Sequence, residues 1–246
     1  MLGIVTHLSV VANKFGIWHG QMKAGNKTYR DLNDLPSVVP VFPLSGALLL
    51  PGSQMPLNLF EPRYLEMLDA VIRTDRVIGM IQPKFRGDVG STEKPNLCEV
   101  GCLGRVVSFS EAGDGRYLIT LQGIARYRIL EEMRVTTPFR MCKIAPFAGD
   151  LKRSAEDDEM DRDALLDTFR AYLEANELEA DWESINNASN EGLVNALSVM
   201  SPYGAAEKQA LLEAPDLKSR AETLIAITEL ALARDNDSES YARTLQ

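Results

Sequence analysis

From Ser37 the hydrophobic positions fall into short, β-branched runs broken by proline. "VVPVFPL", residues 38–44, reads as a strand, and Pro40 and Pro43 should confine it to an edge or a bulge because proline cannot donate to a ladder. "LLLPGSQMPLNLF" follows, with Pro51-Gly52 marking a turn before a second apolar segment. A helix is expected after Phe60. Pro62 suits its first turn, Glu61 places negative charge at the positive end of the helix dipole, and Tyr64, Leu65, Leu68, Val71 and Ile72 repeat at helical spacing.

"RVIGMIQP" is the next strand pattern, and residues 83–97 form a long loop rich in Gly, Pro and charge. "CEVGCLGRVVSFS" and "RYLITLQG" are joined by Glu111-Ala112-Gly113-Asp114-Gly115, where Gly and Asp supply the positive φ values of a hairpin. "IARYRILEE" and "FRMCKIAPF" complete about six short strands, a count and spacing that suggest a small, mostly antiparallel barrel. At Gly149 the period changes. Leu165, Leu166, Phe169 and Leu173 keep a helical repeat, as do Leu193, Val194, Leu197 and Met200, and helices around "GAAEKQALLEA" and "DLKSRAETLIAITELALAR" follow, separated by Pro215. The expected organisation is a leader over 1–35, a β-barrel subdomain over 36–149, a helical bundle over 150–240 and a tail over 241–246. Residues 1–21 lack a basic region ahead of their apolar part, so a signal peptide fits poorly, and Met22 is the expected natural start.

Charge divides the chain at the same place. Residues 1–149 carry 17 Lys/Arg against 13 Asp/Glu, a net of +4, whereas residues 150–246 carry 9 against 22, a net of −13. Phosphate would be repelled by the second half, so nucleic acid is an unexpected partner, and an RNA-associated module is an alternative only for the first. The run Glu156-Asp157-Asp158-Glu159 is expected to be a solvated face. No apolar window reaches the length of a membrane span.

Candidate chemistry is sparse. Beyond Met22 there is no histidine, which removes the commonest neutral-pH base and the usual Ser-His and Cys-His nucleophiles. A phosphate-binding Gly-rich loop, a nucleophile elbow and a His-Glu-x-x-His helix are all missing from the sequence. Cys98 and Cys102 would lie roughly 13 Å apart on one strand, too far to bridge, and with Cys142 they read as buried small hydrophobes in a reducing compartment. No enzyme, cofactor or metal is expected, and the location is expected to be cytoplasmic. Four residues are candidates for contact with a polypeptide: Phe60, Arg63, Tyr64 and Phe85. For the first three the favoured reading is architectural, with Phe60 packed on the sheet as a hydrophobic staple and Tyr64 extending that contact. Phe85, between Lys84 and Arg86 in a Gly-rich loop, reads equally as an exposed contact or a tucked anchor.

Three blocks in order carry a family resemblance: "VFPLSGALLLPGSQMPLNLFEPRYLEML", "EVGCLGRVVSFSEAGDGRYLITLQGIARYRIL" and "EKQALLEAPDLKSRAETLI". Over roughly residues 36 to 234 the chain resembles the N-terminal, substrate-binding domain of the ATP-dependent Lon proteases in its stand-alone bacterial form. The resemblance implies an α+β fold, a PUA-like antiparallel β-barrel followed by an α-helical bundle. It implies a non-catalytic module that binds unfolded or misfolded polypeptides, with a protease or chaperone as a further candidate partner. The family's ATPase and protease modules have no counterpart in these 246 residues.

Overall fold

The computed structural model describes residues 21–84, 94–152 and 160–244, with side chains described as far as residue 234. Phe85, the acidic run 156–159 and the leader up to residue 20 therefore lie outside the described residues. The chain divides into two compact units: one lies within Phe15–Arg153 together with Tyr203–Leu212, the other within Ser154–Pro202 together with Glu213–Gln246.

The first unit is a ring of strands. β1 (Met22–Ala24) and β2 (Lys27–Tyr29) form a small hairpin. The main sheet comprises β3 (Val38–Pro43), β4 (Gln54–Leu59), β5 (Val77–Ile81), β6 (Val100–Glu111), β7 (Tyr117–Glu132) and β8 (Arg140–Pro146), with helix α1 (Pro62–Ile72) between β4 and β5. Its order is β4-β7-β6-β5-β3-β8, and β8 also pairs with β7, so five strands close on themselves while β4 hangs from the side of β7. Among the described strand pairs only β3 and β5 are parallel, because the chain between them crosses over through β4 and α1. The α+β order and the near-closed ring expected from the sequence are both present.

Two local expectations change. β3 is no edge strand: residues 38–41 pair with β8 and residues 41–43 with β5, so its two halves use different neighbours. Pro40 lies in one half and Pro43 in the other, which is how an internal strand tolerates both. The two segments expected on either side of Gly123 are a single 16-residue strand, β7. Its first half pairs with β4 and its last with β8, while β6 runs along it with a register shift at Leu103/Gly104. Gly123 permits the close approach there: its N–H donates to Ser53 O at 2.9 Å, Gly52 N–H donates to its carbonyl at 3.0 Å, and a Cβ would collide with the Leu50 carbonyl. The hairpin turn follows its reading in part: Gly115 has φ +82°, but Asp114 and Gly113 keep negative φ, so one glycine alone supplies the left-handed position.

The core of this unit lies inside the ring, where Tyr29, Val41, Leu103, Ile124, Ala125 and Tyr127 are buried. A later helix of the chain, α5 (Ala205–Glu213), contributes residues 205–212 to the same unit. Polar side chains secure it: Gln82 Nε2 donates to Ala205 O at 3.0 Å and to Gln209 Oε1 at 3.2 Å, while Gln209 Nε2 donates to Val100 O at 3.0 Å.

The second unit contains α2 (Arg162–Ala175), α3 (Trp182–Asn187), α4 (Asn190–Met200) and α6 (Leu217–Thr244). Each start has a short polar side chain accepting from the first turn: Asp161 from Ala164 N–H, Asp181 from Ser184 N–H, Ser189 from Gly192 N–H and Asp216 from Ser219 N–H. These caps satisfy donors that a helix cannot satisfy internally. α6 packs against α2 and α4, and α4 is buried continuously from Gly192 to Ser198. No helix among the described residues is long and apolar enough to cross a membrane.

Candidate functional site

The start of α1 forms one side of a groove in the barrel unit. Glu61 keeps an extended backbone before the helix, and its carboxylate receives Arg63, Nε at 2.9 Å and Nη2 at 2.6 Å, instead of capping an N–H. The Arg63 guanidinium then lies 4.7 Å from the Tyr64 ring centre, and Tyr64 meets Phe42 of β3 with ring centres 4.2 Å apart. Burial raises the Tyr64 phenol above its ordinary range. Tyr64 is thus a buried joint between helix and sheet.

Phe60 is not part of that joint. It is 66% exposed, which overturns the expectation that it packs on the sheet as a staple. The reason is strand alternation: Leu59 turns inward and is buried, so the next residue faces outward.

The opposite side is the segment joining β7 to β8. Glu132 and Arg140 close its base, with Arg140 Nε and Nη2 donating to the two carboxylate oxygens at 3.0 and 2.6 Å. Lys94 Nζ approaches the same carboxylate at 3.0 Å, and Arg140 Nη1 donates to Pro95 O at 2.7 Å. Burial pushes the Glu132 carboxyl up, but the hydrogen bonds and charges of Arg140 and Lys94 outweigh it, and the group lies below its usual range. Thr137 Oγ1 donates to Phe139 O at 2.9 Å inside the turn. Met133 and Val135 remain 38% and 40% exposed.

Between the two sides is a groove of about 1410 Å³, lined in part by Arg63, Met133, Arg134, Val135, Pro138 and Phe139. A smaller recess of about 140 Å³ lies between Val41, Pro43, Tyr64 and Phe139. Of the four candidates, Arg63 and Tyr64 are brought to this region, Phe60 lines neither cavity, and Phe85 is outside the described residues. The sequence reading missed residues 133–140. Its available signal was the pair Met133 and Val135, apolar residues placed in a polar turn after a strand.

The described lining offers shape, apolar surface and charge, but no nucleophile beside a base: its one hydroxyl, Thr137, is turned to a carbonyl. Cys142 of β8 is buried, and loss of solvation with the Glu132 charge pushes its thiol up to about 11. Among the described residues no group of three or more His, Cys, Asp or Glu could hold a metal ion.

Comparison with known proteins gives a consistent result. Residues 38–229 match the family described as the ATP-dependent protease La (LON) substrate-binding domain. "Lon protease 2" of Myxococcus xanthus is 26% identical over 201 residues, 79% of this chain and 24% of that protein. "Lon protease" of Parabacteroides distasonis is 32% identical over 200 residues, 77% of this chain and 23% of that protein. The chain therefore spans about a quarter of the length of these curated relatives. Among solved structures, the Lon N-terminal domain protein from Xanthomonas campestris has a TM-score of 0.55 at 21% identity, covering 78% of this chain and 98% of that one. The N-terminal domain of the Mycobacterium avium complex Lon protease has a TM-score of 0.58 at 16% identity, with the same coverages. At these identities the structures establish the shared fold.

Proposed function

The chain belongs to the family of the Lon protease substrate-binding domain, and from that premise we propose that it is a non-catalytic module that takes up exposed apolar segments of unfolded or misfolded polypeptide in the groove between α1 and residues 133–140. The match covers the substrate-binding domain, not the catalytic part of Lon, and no ATPase or protease module lies within the chain.

The observation that carries the reading is the exposure of Met133 and Val135 on a segment whose ends are held by Glu132 and Arg140. Exposed apolar side chains on a fixed frame gain burial when a partner docks, without first spending free energy on ordering the site. A groove of about 1410 Å³ exceeds the usual volume of a small-molecule pocket, which suits a stretch of polypeptide better than a compact metabolite. A protease or chaperone that accepts the bound chain is the partner this activity would serve.

The test is fluorescence anisotropy of a labelled, permanently unfolded protein titrated with the full chain, without nucleotide. Saturable binding is expected, weakened when Val135→Asp puts a charge on the apolar wall. Absence of binding to several unfolded clients would overturn the reading.

A further inference from the structure

The groove is not electrically neutral. Its described lining carries four cations, Arg63, Lys94, Arg134 and Arg140, and two carboxylates, Glu61 and Glu132. Both carboxylates are engaged: Glu61 by Arg63 at 2.6 Å, Glu132 by Arg140 at 2.6 Å and by Lys94 at 3.0 Å. Arg134 differs. It lies exposed between Met133 and Val135 in the sequence and forms no ion pair with a described residue.

We propose that the groove selects, among apolar polypeptide segments, those carrying an aspartate or glutamate beside the apolar residue, and that Arg134 is the residue that reads the carboxylate. The occupant is an extended acidic-apolar peptide. Its apolar side chain covers Met133 and Val135, while its carboxylate takes the fork of donors on the Arg134 guanidinium. A lysine or arginine in the same place meets excess positive charge, with both nearby carboxylates already engaged. Rejection of basic segments is thus as much a part of the selectivity as attraction of acidic ones. This inference rests on the polypeptide-binding reading and adds the chemical class of segment.

The experiment uses three labelled peptides with one common apolar core, flanked by Asp, Gln or Lys, each titrated with the full chain at low and moderate salt. The Asp peptide is expected to bind roughly fivefold to tenfold more tightly than the Lys peptide, the Gln peptide falling between. Added salt narrows the gap because the pairing is exposed. Arg134→Gln narrows it at constant salt, and Arg134→Glu inverts the order. Equal affinity for the three peptides overturns the acidic preference and leaves the polypeptide-binding reading intact. Failure of all three to bind overturns both. An unchanged order in Arg134→Glu overturns the assignment to that residue, and stoichiometric displacement of the Asp peptide by a single-stranded RNA oligomer shows a nucleic-acid groove instead.

Discussion

Arg126 and Asp150 form a two-pronged ion pair inside the barrel unit. Nε reaches Oδ2 at 2.9 Å, Nη2 reaches Oδ1 at 2.7 Å, and the Arg126 backbone N–H also donates to Oδ2 at 2.7 Å. Their side chains are only 6% and 9% exposed. Asp150 sits in the short 3-10 turn Ala148–Leu151 that follows β8, and Arg126 also reaches Leu212 O at 3.4 Å, so one guanidinium links β7, that turn and α5. Removing one partner would leave the other charge buried. Asp150→Ala is expected to lower unfolding free energy by about 3–5 kcal/mol, and the double variant Arg126→Met/Asp150→Ala by less than the sum of its parts. Urea unfolding of the four proteins measures both; strict additivity would refute the coupling.

Gln209 predicts a local loss. Its side chain supplies an acceptor to Gln82 and a donor to Val100 O, both in buried surroundings. Gln209→Leu is expected to cost about 1–3 kcal/mol, because the partners left behind lose their hydrogen bonds. Hydrogen exchange should show α5 amides losing protection ahead of β6 and β7. Uniform loss across the unit would contradict a role confined to docking that helix.

Gly123 and Gly113 make a matched pair. A Cβ at Gly123 would meet the Leu50 backbone, which cannot swing aside, whereas a Cβ at Gly113 has nothing within 4 Å. Gly123→Ala should destabilise by about 3 kcal/mol through overpacking, and Gly113→Ala should leave the denaturation midpoint close to wild type. Equal midpoints for the two variants would show that the Leu50 backbone can give way to a side chain at position 123.

Glu132 predicts the direction of one pH dependence. Its folded-state pKa is depressed relative to an unfolded glutamate at about 4.3. The ionised form therefore stabilises the fold; the contribution is complete above that value and is lost as pH falls through the lower folded pKa. Wild type should be more stable than Glu132→Gln at pH 7, and the two should converge as the solution is acidified below about pH 4. A constant difference down to pH 3 would mean that the carboxylate contributes by shape alone.

Much of the local structure was legible in the residues. Pro62 at the start of α1, the helical repeat of Tyr64, Leu68 and Val71, and Gly115 in its turn all do what their chemistry dictates. Phe60 was not legible. An aromatic before a helix can staple or point away, and only the phase of β4, set by pairing Leu57 with Ile119 and Leu59 with Tyr117, decides which. The groove was half legible: Arg63 and Tyr64 stood out beside a proline-started helix, but Arg140 and Glu132 looked like ordinary strand charges until they were seen pairing across the turn.

The sequence by itself determined the order of strand and helix periods, the charge division near residue 150 and the resemblance to the Lon substrate-binding domain. These follow from periods of two and about 3.6 residues, from turn and cap chemistry, and from ordered blocks of residues, all read along the chain. Only the tertiary structure decided that β8 closes on β7, that residues 203–212 rejoin the barrel unit, and that residues 61–63, 94, 132–135 and 137–140 border one groove. Those relationships join residues far apart in sequence. Many loop closures have similar entropic cost, and the choice among them is made by which side chains can pack and pair at once.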